Sequence, residues 1–182
     1  MLGFFPSLGI GIRQKIRFVF LDERLVATDH PDSNFCLLNE TFFQPLLHAG
    51  LIFPRQIQPV ATGLASPETE YSKRVPRIDI GLFGVGPDGH IASLFPNHPG
   101  LRMAGDGYVR IGDSPKPPAD RISVSAGMAR AIIFPFAFFI GEAKRGAFDR
   151  SQDLNIPYDS CPVKLLFGNE NCQVVSDLVQ LP

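Results

Sequence analysis

A titratable imidazole lies in a glycine-rich stretch of this chain, directly after an apolar run. The stretch reads Gly-Val-Gly-Pro-Asp-Gly-His-Ile-Ala-Ser-Leu-Phe-Pro at residues 84–96, and it carries Asp88 and His90 two positions apart. An imidazole with an ordinary pKa of about 6.5 is mostly neutral at physiological pH, so His90 can accept a proton as a general base. The alternative interpretation is structural, in which the stretch is a helix-capping turn that holds a hydrogen-bonded histidine.

The apolar run before this stretch, residues 78–85, is typical of a buried strand covered on both faces. The glycines therefore lie at the carboxyl end of a strand, which is where ligands bind in open α/β sheets. Glycine has no Cβ, so the backbone can approach a substrate closely there. This position favours a ligand-binding role for the turn.

Strand-like and helix-like segments alternate along the rest of the chain. Strands are predicted at residues 16–21, 78–85, 121–125, 132–140, 163–167 and 173–175. Helices are predicted to begin at Ser33 or Asn34, near residue 68, at residue 126 and at Gly141. Pro45 is expected to kink or end the first helix, and residues 100–119, rich in Gly and Pro, predict a surface loop. The alternation predicts an α/β layer fold with a largely parallel sheet.

Composition narrows the classes of function. The chain has 182 residues, of which 45% are hydrophobic and 19% charged, as in an ordinary single globular domain. Its net charge of -1 and scattered Lys and Arg predict no nucleic-acid partner, and no apolar run reaches the roughly 20 residues that cross a bilayer. Three cysteines without a Cys-x-x-Cys pair favour reduced thiols and the cytoplasm. We expect no cofactor and no metal, because His90 and His98 lack a third ligand.

Several short motifs accompany the His90 stretch in a fixed order. They are Asp-Glu-Arg at residues 22–24, Ser-Asn at 33–34, the stretch 86–96, Pro117 with Arg121, and Gly141 with Lys144. Together, from about residue 16 to residue 177, they resemble the 6-phosphogluconolactonases. These enzymes hydrolyse 6-phospho-glucono-1,5-lactone in the pentose phosphate pathway and share a fold with the glucosamine-6-phosphate deaminases. The resemblance implies a Rossmann-like three-layer α/β domain with a mostly parallel sheet over residues 15–182, after a non-matching leader, 1–14.

The resemblance also implies roles for the residues near His90. Lactone opening needs a base for the attacking water, donors for the developing oxyanion and anchors for the phosphate. His90 is then the base, and Asp88 or Asp22 orients its ring. Arg24 is expected to face the lactone oxygen or the sugar hydroxyls.

Further groups complete this expected site. Backbone N–H groups of Gly86 and Gly89 are candidate oxyanion donors. Lys144, at the expected start of a helix, matches the position where the family binds phosphate, and Arg145 is an additional donor nearby. Arg121 is a candidate lining residue. The simpler alternatives are that Lys144 is a solvated lysine and that Arg121 is a surface charge at the head of a strand.

One part of the family pattern is not found in the sequence. Family members usually begin with a helix and a strand that lead to a Gly-Gly-Ser/Thr-Thr-Pro loop, which holds part of the sugar phosphate, and nothing before Asp22 resembles it. Each lost hydrogen bond to a charged phosphate is worth about 1.5–3 kcal/mol, so weaker substrate binding is expected. A missing strand would leave a sheet edge and a sheet face uncovered, which favours a homodimer or an aggregation-prone fragment.

Three functions therefore remain, and the first is favoured. It is a cytoplasmic 6-phosphogluconolactonase that acts on a small sugar phosphate. The second is a non-catalytic sugar-phosphate-binding or interaction protein on the same scaffold. The third is a deaminase-like isomerase, which is disfavoured because Ser-Leu-Phe-Pro at residues 93–96 stands where the deaminases carry Asn-Glu-Pro.

Overall fold

Two three-stranded sheets, one parallel and one antiparallel, organise residues 7–178, the part of the chain that this computed structural model describes. The predicted α/β class is confirmed. The first six residues of the expected leader, 1–14, and the last four of the expected domain, 179–182, lie outside the described residues.

The parallel sheet has the strand order β2 (Ile80–Gly84), β5 (Phe134–Phe139) and β6 (Gln173–Ser176). Ile80 lies opposite Phe134, and the register continues to Gly84 opposite Phe138. All three strands are predicted by the sequence, with ends that differ by at most two residues. Because they run parallel, their carboxyl ends meet at one edge of the sheet, and the His90 stretch follows β2 at that edge.

The antiparallel sheet has the order β1 (Asp22–Arg24), β4 (Arg121–Val124) and β3 (Tyr108–Ile111). The sequence predicts β4, but it places β3 inside the surface loop at 100–119. That prediction is wrong for β3 because the sequence Tyr-Val-Arg-Ile suits a strand, and three of its four residues are buried.

Residues 16–21 do not form the predicted strand. Of these six residues, only Phe18 makes a β-bridge, an isolated parallel one with Ile57. Tyrosine hydroxyls take the place of a strand partner at Phe20: its N–H donates to the Tyr71 hydroxyl, and the Tyr108 hydroxyl donates to its carbonyl. The regular β-ladder therefore begins only with β1, directly after the segment 16–21 that the sequence predicts as the strand.

Short helices connect the strands. The α-helices are α1 (Ile10–Arg13), α2 (Asn34–Leu38), α3 (Gln44–His48), α4 (Pro67–Arg74), α5 (Ala126–Ala131) and α6 (Arg145–Gln152). The 3₁₀ helices are Pro54–Gln56, Pro99–Arg102, Glu142–Lys144 and Pro162–Leu165. The strand predicted at residues 163–167 is wrong, because local bonds from the N–H of Lys164 to the Cys161 carbonyl and from Leu166 to Val163 form a 3₁₀ turn instead.

The helical segment after Ser33 is capped as predicted, because the Ser33 hydroxyl accepts the N–H of Cys36. Between α2 and α3 the chain widens into a π-helix over Asn39–Phe43. Pro45 lies in the first turn of α3, directly after the π-helix. The proline thus coincides with a local change of helix type and does not end the helical segment.

One face of the parallel sheet is open to solvent. Along β2, Gly81 and Phe83 are buried, whereas Ile80 and Leu82 are 61% and 63% exposed. Phe134, opposite Ile80, is 46% exposed. The expectation of a strand covered on both faces is therefore wrong, since only the side formed by Gly81 and Phe83 packs into the core. None of the helices in the described range is long and apolar enough to cross a membrane.

Candidate functional site

The turn after β2 is closed by its own backbone. The N–H of Gly86 donates to the His90 carbonyl, and the N–H of Gly89 donates to the Gly86 carbonyl, both at 2.9 Å. The N–H of Val85 donates to the carbonyl of Phe138, which ties the start of the turn to the end of β5. These bonds fix His90 at the carboxyl ends of β2 and β5.

Gly86 and Gly89 are needed for the close packing of this turn, and their N–H groups are not available to an oxyanion. A Cβ on Gly86 would lie 1.9 Å from His90 Nδ1, and a Cβ on Gly89, whose φ is +85°, would lie 2.8 Å from the Cys161 sulfur. Both N–H groups already donate within the turn. The expectation that Gly86 and Gly89 present oxyanion donors is therefore wrong, because those hydrogens point at the turn's own carbonyls.

His90 is oriented by Asp88. Its Nδ1 lies 2.5 Å from Oδ1 of Asp88, and its side chain is 17% exposed. A carboxylate can only accept, so Nδ1 carries the hydrogen and Nε2 presents its lone pair. Within residues 7–178 no group hydrogen-bonds to Nε2. Burial lowers the pKa of His90, and Lys116 lowers it further, against the opposing effect of Asp88.

Lys116 is a member of the site that the sequence analysis missed. Its Nζ lies 3.3 Å from His90 Nδ1 and 3.3 Å from Asp88 Oδ2. Burial acts to raise the pKa of Asp88, but the His90 hydrogen bond and the charges of His90 and Lys116 outweigh it and hold that pKa low. The signal was available in the sequence: Ser-Pro-Lys-Pro-Pro at residues 114–118 places a single cation on a stiff, proline-rich loop.

Asp22 is placed near the His90 stretch without orienting the imidazole. Its Oδ2 accepts the hydroxyl of Ser93 at 2.7 Å, and its Oδ1 accepts the side-chain amide of Asn34 at 3.3 Å. The N–H of Ser93 in turn donates to the hydroxyl of Ser123, which lies opposite Asp22 across β1 and β4. Of the two carboxylates predicted to orient His90, Asp88 does so directly, and Asp22 fixes the segment that follows it.

Arg24 is held by the loop between β1 and α2. Its Nη1 donates to the Asp32 carbonyl at 2.6 Å, and its Nε is buried without a hydrogen-bond partner in the described residues. The loop is shaped by Glu23, which is 1% exposed and accepts the backbone N–H groups of Arg24, Asn34 and Phe35. Glu23 also accepts the hydroxyl of Ser33. Burial raises the pKa of Glu23, although these four hydrogen bonds act to lower it.

Arg121 is buried, with 4% of its surface exposed, and faces backbone carbonyls rather than a cleft. Its guanidinium donates to the carbonyls of Lys116, Pro117 and Pro118. The expectation that Arg121 lines the site is wrong, as is the alternative of a surface charge, because its donors are used to hold a loop.

Lys144 and Arg145 lie side by side in sequence but have different surroundings. Lys144 lines the cleft beside His90. Arg145 forms an ion pair with Glu142 at 2.5 Å and donates to the Leu178 carbonyl. The structure therefore brings Lys144, and not Arg145, to the cleft.

The cleft has a volume of about 480 Å³, within the usual range for small-ligand sites. It is lined by Gly84, Val85, Gly86, Pro87, His90, Lys116, Phe138, Ile140 and Lys144. The lining contains two lysines and no carboxylate, so it suits a small anion. A second concavity of about 560 Å³, lined by residues between Arg130 and Asn171, shares none of these lining residues. Among the described residues, no three His, Cys, Asp or Glu side chains are grouped so that they could hold a metal ion.

Comparison with known sequences places these features in a family. A family model described as glucosamine-6-phosphate isomerases/6-phosphogluconolactonase matches residues 11–175. A probable 6-phosphogluconolactonase of Arabidopsis thaliana is 34% identical over 159 residues, covering 76% of this chain and 58% of the relative. The 6-phosphogluconolactonase of Borreliella burgdorferi is 30% identical over 175 residues, covering 91% of this chain and 73% of the relative. The chain spans little more than half the length of several curated relatives that it matches.

Comparison with solved structures shows the same fold. The 6-phosphogluconolactonase of Thermotoga maritima has a TM-score of 0.72 at 23% identity, covering 90% of this chain and 72% of the other. A monomeric glucosamine-6-phosphate deaminase has a TM-score of 0.71 at 21% identity, covering 97% of this chain and 80% of the other. At these identities the likeness establishes the fold and does not separate the two activities.

Proposed function

The chain belongs to the glucosamine-6-phosphate isomerase/6-phosphogluconolactonase family, and we propose that it hydrolyses 6-phospho-glucono-1,5-lactone to 6-phosphogluconate, a step of the pentose phosphate pathway. The observation that carries this proposal is His90. Its Nδ1 is held by Asp88, its Nε2 has no partner within residues 7–178, and it lines a cleft that also contains two lysines. A neutral, oriented imidazole in an anion-binding cleft is what a base-assisted ester hydrolysis needs.

The proposed reaction has two steps. Nε2 of His90 takes a proton from water as the water oxygen attacks the lactone carbonyl carbon, which gives a tetrahedral oxyanion. When this collapses, the bond from the carbonyl carbon to the ring oxygen breaks, and the imidazolium returns its proton to that oxygen as the new hydroxyl. Asp88 stabilises the transient imidazolium because its carboxylate accepts the Nδ1 hydrogen throughout.

Positive charge in the cleft supports an anionic substrate. We propose that Lys144 binds the phosphate, as the family resemblance implies, and that Lys116, beside His90, stabilises the developing oxyanion. Arg24 is proposed to contact the lactone or sugar oxygens through the guanidinium edge that the Asp32 carbonyl does not occupy. Asp22 supports these groups by holding Ser93.

A lactonase is preferred over a deaminase because of the segment after His90. The deaminases of the family carry an acid where this chain has Ser93 and Leu94, and the Ser93 hydroxyl is already used to bind Asp22. The second alternative, a non-catalytic phosphosugar-binding protein, would use the same cleft without turnover. These alternatives differ in what they release, so one purified protein can be assayed for all three.

The proposed test compares the purified chain with buffer alone. A lactonase produces 6-phosphogluconate from the lactone faster than the spontaneous reaction, as detected by coupled reduction of NADP with 6-phosphogluconate dehydrogenase. Ammonia release from glucosamine 6-phosphate would instead establish the deaminase. Phosphosugar binding by calorimetry without either product would establish the binding protein.

We also propose that the open sheet face pairs with a second copy of the chain. The face contains the exposed Ile80, Leu82 and Phe134, and it continues into the cleft through Gly84 and Phe138, which lie opposite each other. A second copy of the chain bound to this face would bury its apolar side chains, and it would also form one side of the cleft. A cytoplasmic location is proposed as well, and it is supported by the three cysteines, all of which are free thiols.

A further inference from the structure

The loop that carries Lys116 cannot be held by its own backbone. Residues 115–118 read Pro-Lys-Pro-Pro, so three of the four peptide nitrogens have no hydrogen to donate. The one N–H, that of Lys116, goes to the Ser114 hydroxyl. The Ser114 hydroxyl donates to the Lys116 carbonyl, whereas the Pro117 and Pro118 carbonyls depend on donors from outside the loop.

A single buried guanidinium supplies those donors. Nε of Arg121 donates to the Pro118 carbonyl at 2.8 Å, and its Nη2 donates to the carbonyls of Lys116 at 2.8 Å and Pro117 at 3.0 Å. Arg121 begins β4, whose four residues are all buried, so its position is rigid. The planar, multiply donating guanidinium suits three carbonyls better than the single ammonium of a lysine.

The aromatic ring of Phe95 packs between three groups of the site, His90, Lys116 and Arg121. The His90 ring lies 4.8 Å from the Phe95 ring, Lys116 Nζ lies 5.9 Å from its centroid, and the Arg121 guanidinium carbon lies 5.6 Å from its centroid. Phe95 is 1% exposed and cannot move away without opening a cavity. Arg121 is thus coupled to His90 through the Lys116 loop and the shared ring, while it touches neither the imidazole nor the cleft.

We infer that Arg121 is a positioning residue, which holds the Lys116 loop so that the ammonium stays beside His90 and sets the protonation of the general base. This rests on the proposed function only in taking His90 as the working base. The other charged groups that face His90 are Asp88 on its own turn and, farther away, Asp22 on β1. Lys144 lines the same cleft as His90.

Arg121 also reaches Asp22, because its Nη1 donates to the Ser93 hydroxyl at 3.5 Å and that hydroxyl donates to Asp22 Oδ2. An effect of Arg121 that passed through Ser93 and Asp22 would persist in the absence of Lys116, so a double variant separates the two routes.

The direct test is an NMR titration of His90 with ¹³C-labelled histidine, assigned with H90N. In wild-type protein the Lys116 charge lowers the pKa of His90. We expect R121M and K116M each to shift the titration to higher pH by a similar amount. We expect the R121M/K116M double variant to titrate like K116M alone, because both changes remove the same charge from the imidazole. The matched control is R110M, since Arg110 is an exposed arginine on β3 that pairs with Asp120.

Kinetics separate this role from direct substrate binding. As a positioning residue, Arg121 changed to Met lowers kcat roughly ten- to a hundredfold with little change in KM. A raised KM with an unchanged His90 titration would overturn the inference in favour of a substrate contact. If the losses in kcat of R121M and K116M add fully in the double variant, the inference is overturned in favour of a general structural role for Arg121.

A conservative variant covers the case in which R121M does not fold. R121K keeps the charge, but its single nitrogen cannot reach the three carbonyls as the planar fork does, so we expect a smaller shift of the His90 titration in the same direction. A wild-type titration in R121K contradicts the inference. Because these titrations need no turnover, they still decide the role of Arg121 if the lactonase assay fails.

Discussion

Oδ1 of Asp88 lies 2.5 Å from Nδ1 of His90, and the residues are only two positions apart in the chain. The close spacing lets one tight turn set both the tautomer and the direction of the imidazole. The remaining groups of the site arrive from distant elements: Lys116 from the proline-rich loop and Lys144 from the segment after β5.

Asp88→Asn is expected to lower kcat about a hundredfold, since the amide no longer stabilises the imidazolium. Loss of the Asp88 charge also lowers the pKa of His90, because that carboxylate raises it in the wild type. The acid limb of the pH–rate profile should therefore move to lower pH. Asp113→Asn is the matched control, as Asp113 is an exposed carboxylate 3.0 Å from another histidine, His98. Equal losses in the two variants would contradict the role of Asp88.

The wild-type pH profile should show activity that persists below the ordinary histidine range. His90 acts as a base only when neutral, and burial lowers its pKa from 6.5, so the neutral form extends to lower pH. Lactone hydrolysis measured from pH 5 to 8, corrected for the spontaneous rate, should give a kcat/KM whose half-maximum lies below pH 6.5. A half-maximum above that value would show that the base is not the buried imidazole described here.

Gly86→Ala should abolish most of the activity without unfolding the protein. The added Cβ would lie 1.9 Å from His90 Nδ1 and 2.6 Å from Asp88 Oδ1, so the histidine side chain must move away from its carboxylate. We expect kcat to fall by at least a hundredfold, with the melting temperature as the check on folding. The control is Gly63→Ala, at a glycine where the new methyl group meets nothing within 4 Å.

Lys144 and Arg145 give a matched pair for the phosphate. Lys144→Met removes a cation from the cleft and should raise KM about tenfold or more while kcat changes little. Arg145→Met should leave KM within about twofold, because that guanidinium is engaged by Glu142 and the Leu178 carbonyl. The reverse order of effects would restore Arg145 as the phosphate ligand.

The open sheet face predicts self-association. Leu82 is 63% exposed on that face, and Leu82→Glu should convert a dimer to a monomer in light scattering after gel filtration, because a charge would be buried in an apolar contact. Leu154→Glu is the control, since Leu154 is 95% exposed and lies between α6 and the Pro162–Leu165 helix, outside the strands of the sheet. A wild-type monomer at all concentrations would contradict the proposed pairing.

The parts of the fold that were predictable from sequence are those decided locally. The apolar runs of β2 and β5 and the Ser33 cap depend on neighbouring residues, and the structure bears them out. The missed features depend on distant ones. Phe20 satisfies its backbone through Tyr71 and Tyr108, which lie 51 and 88 residues away, and no local pattern encodes such contacts.

The candidate site divides in the same way. Asp88 and His90 could be joined from their spacing, and the glycines around them indicated a close approach. The role of Arg121 could not be predicted, because an arginine at the start of a strand gives no sign that its guanidinium faces three carbonyls of a loop. Lys116 was hidden by the surface-loop prediction, although its proline neighbours suggest a rigid cation.

The rate of lactone hydrolysis by His90→Asn tests the central claim most directly. Asparagine keeps a polar side chain of smaller size but cannot take a proton from water, so kcat should fall about 10²- to 10⁴-fold towards the spontaneous rate. His48→Asn, at an exposed histidine ending α3, should keep wild-type activity. Hydrolysis by His90→Asn at the wild-type rate, from protein with an unchanged melting temperature, would contradict the assignment of His90 as the base.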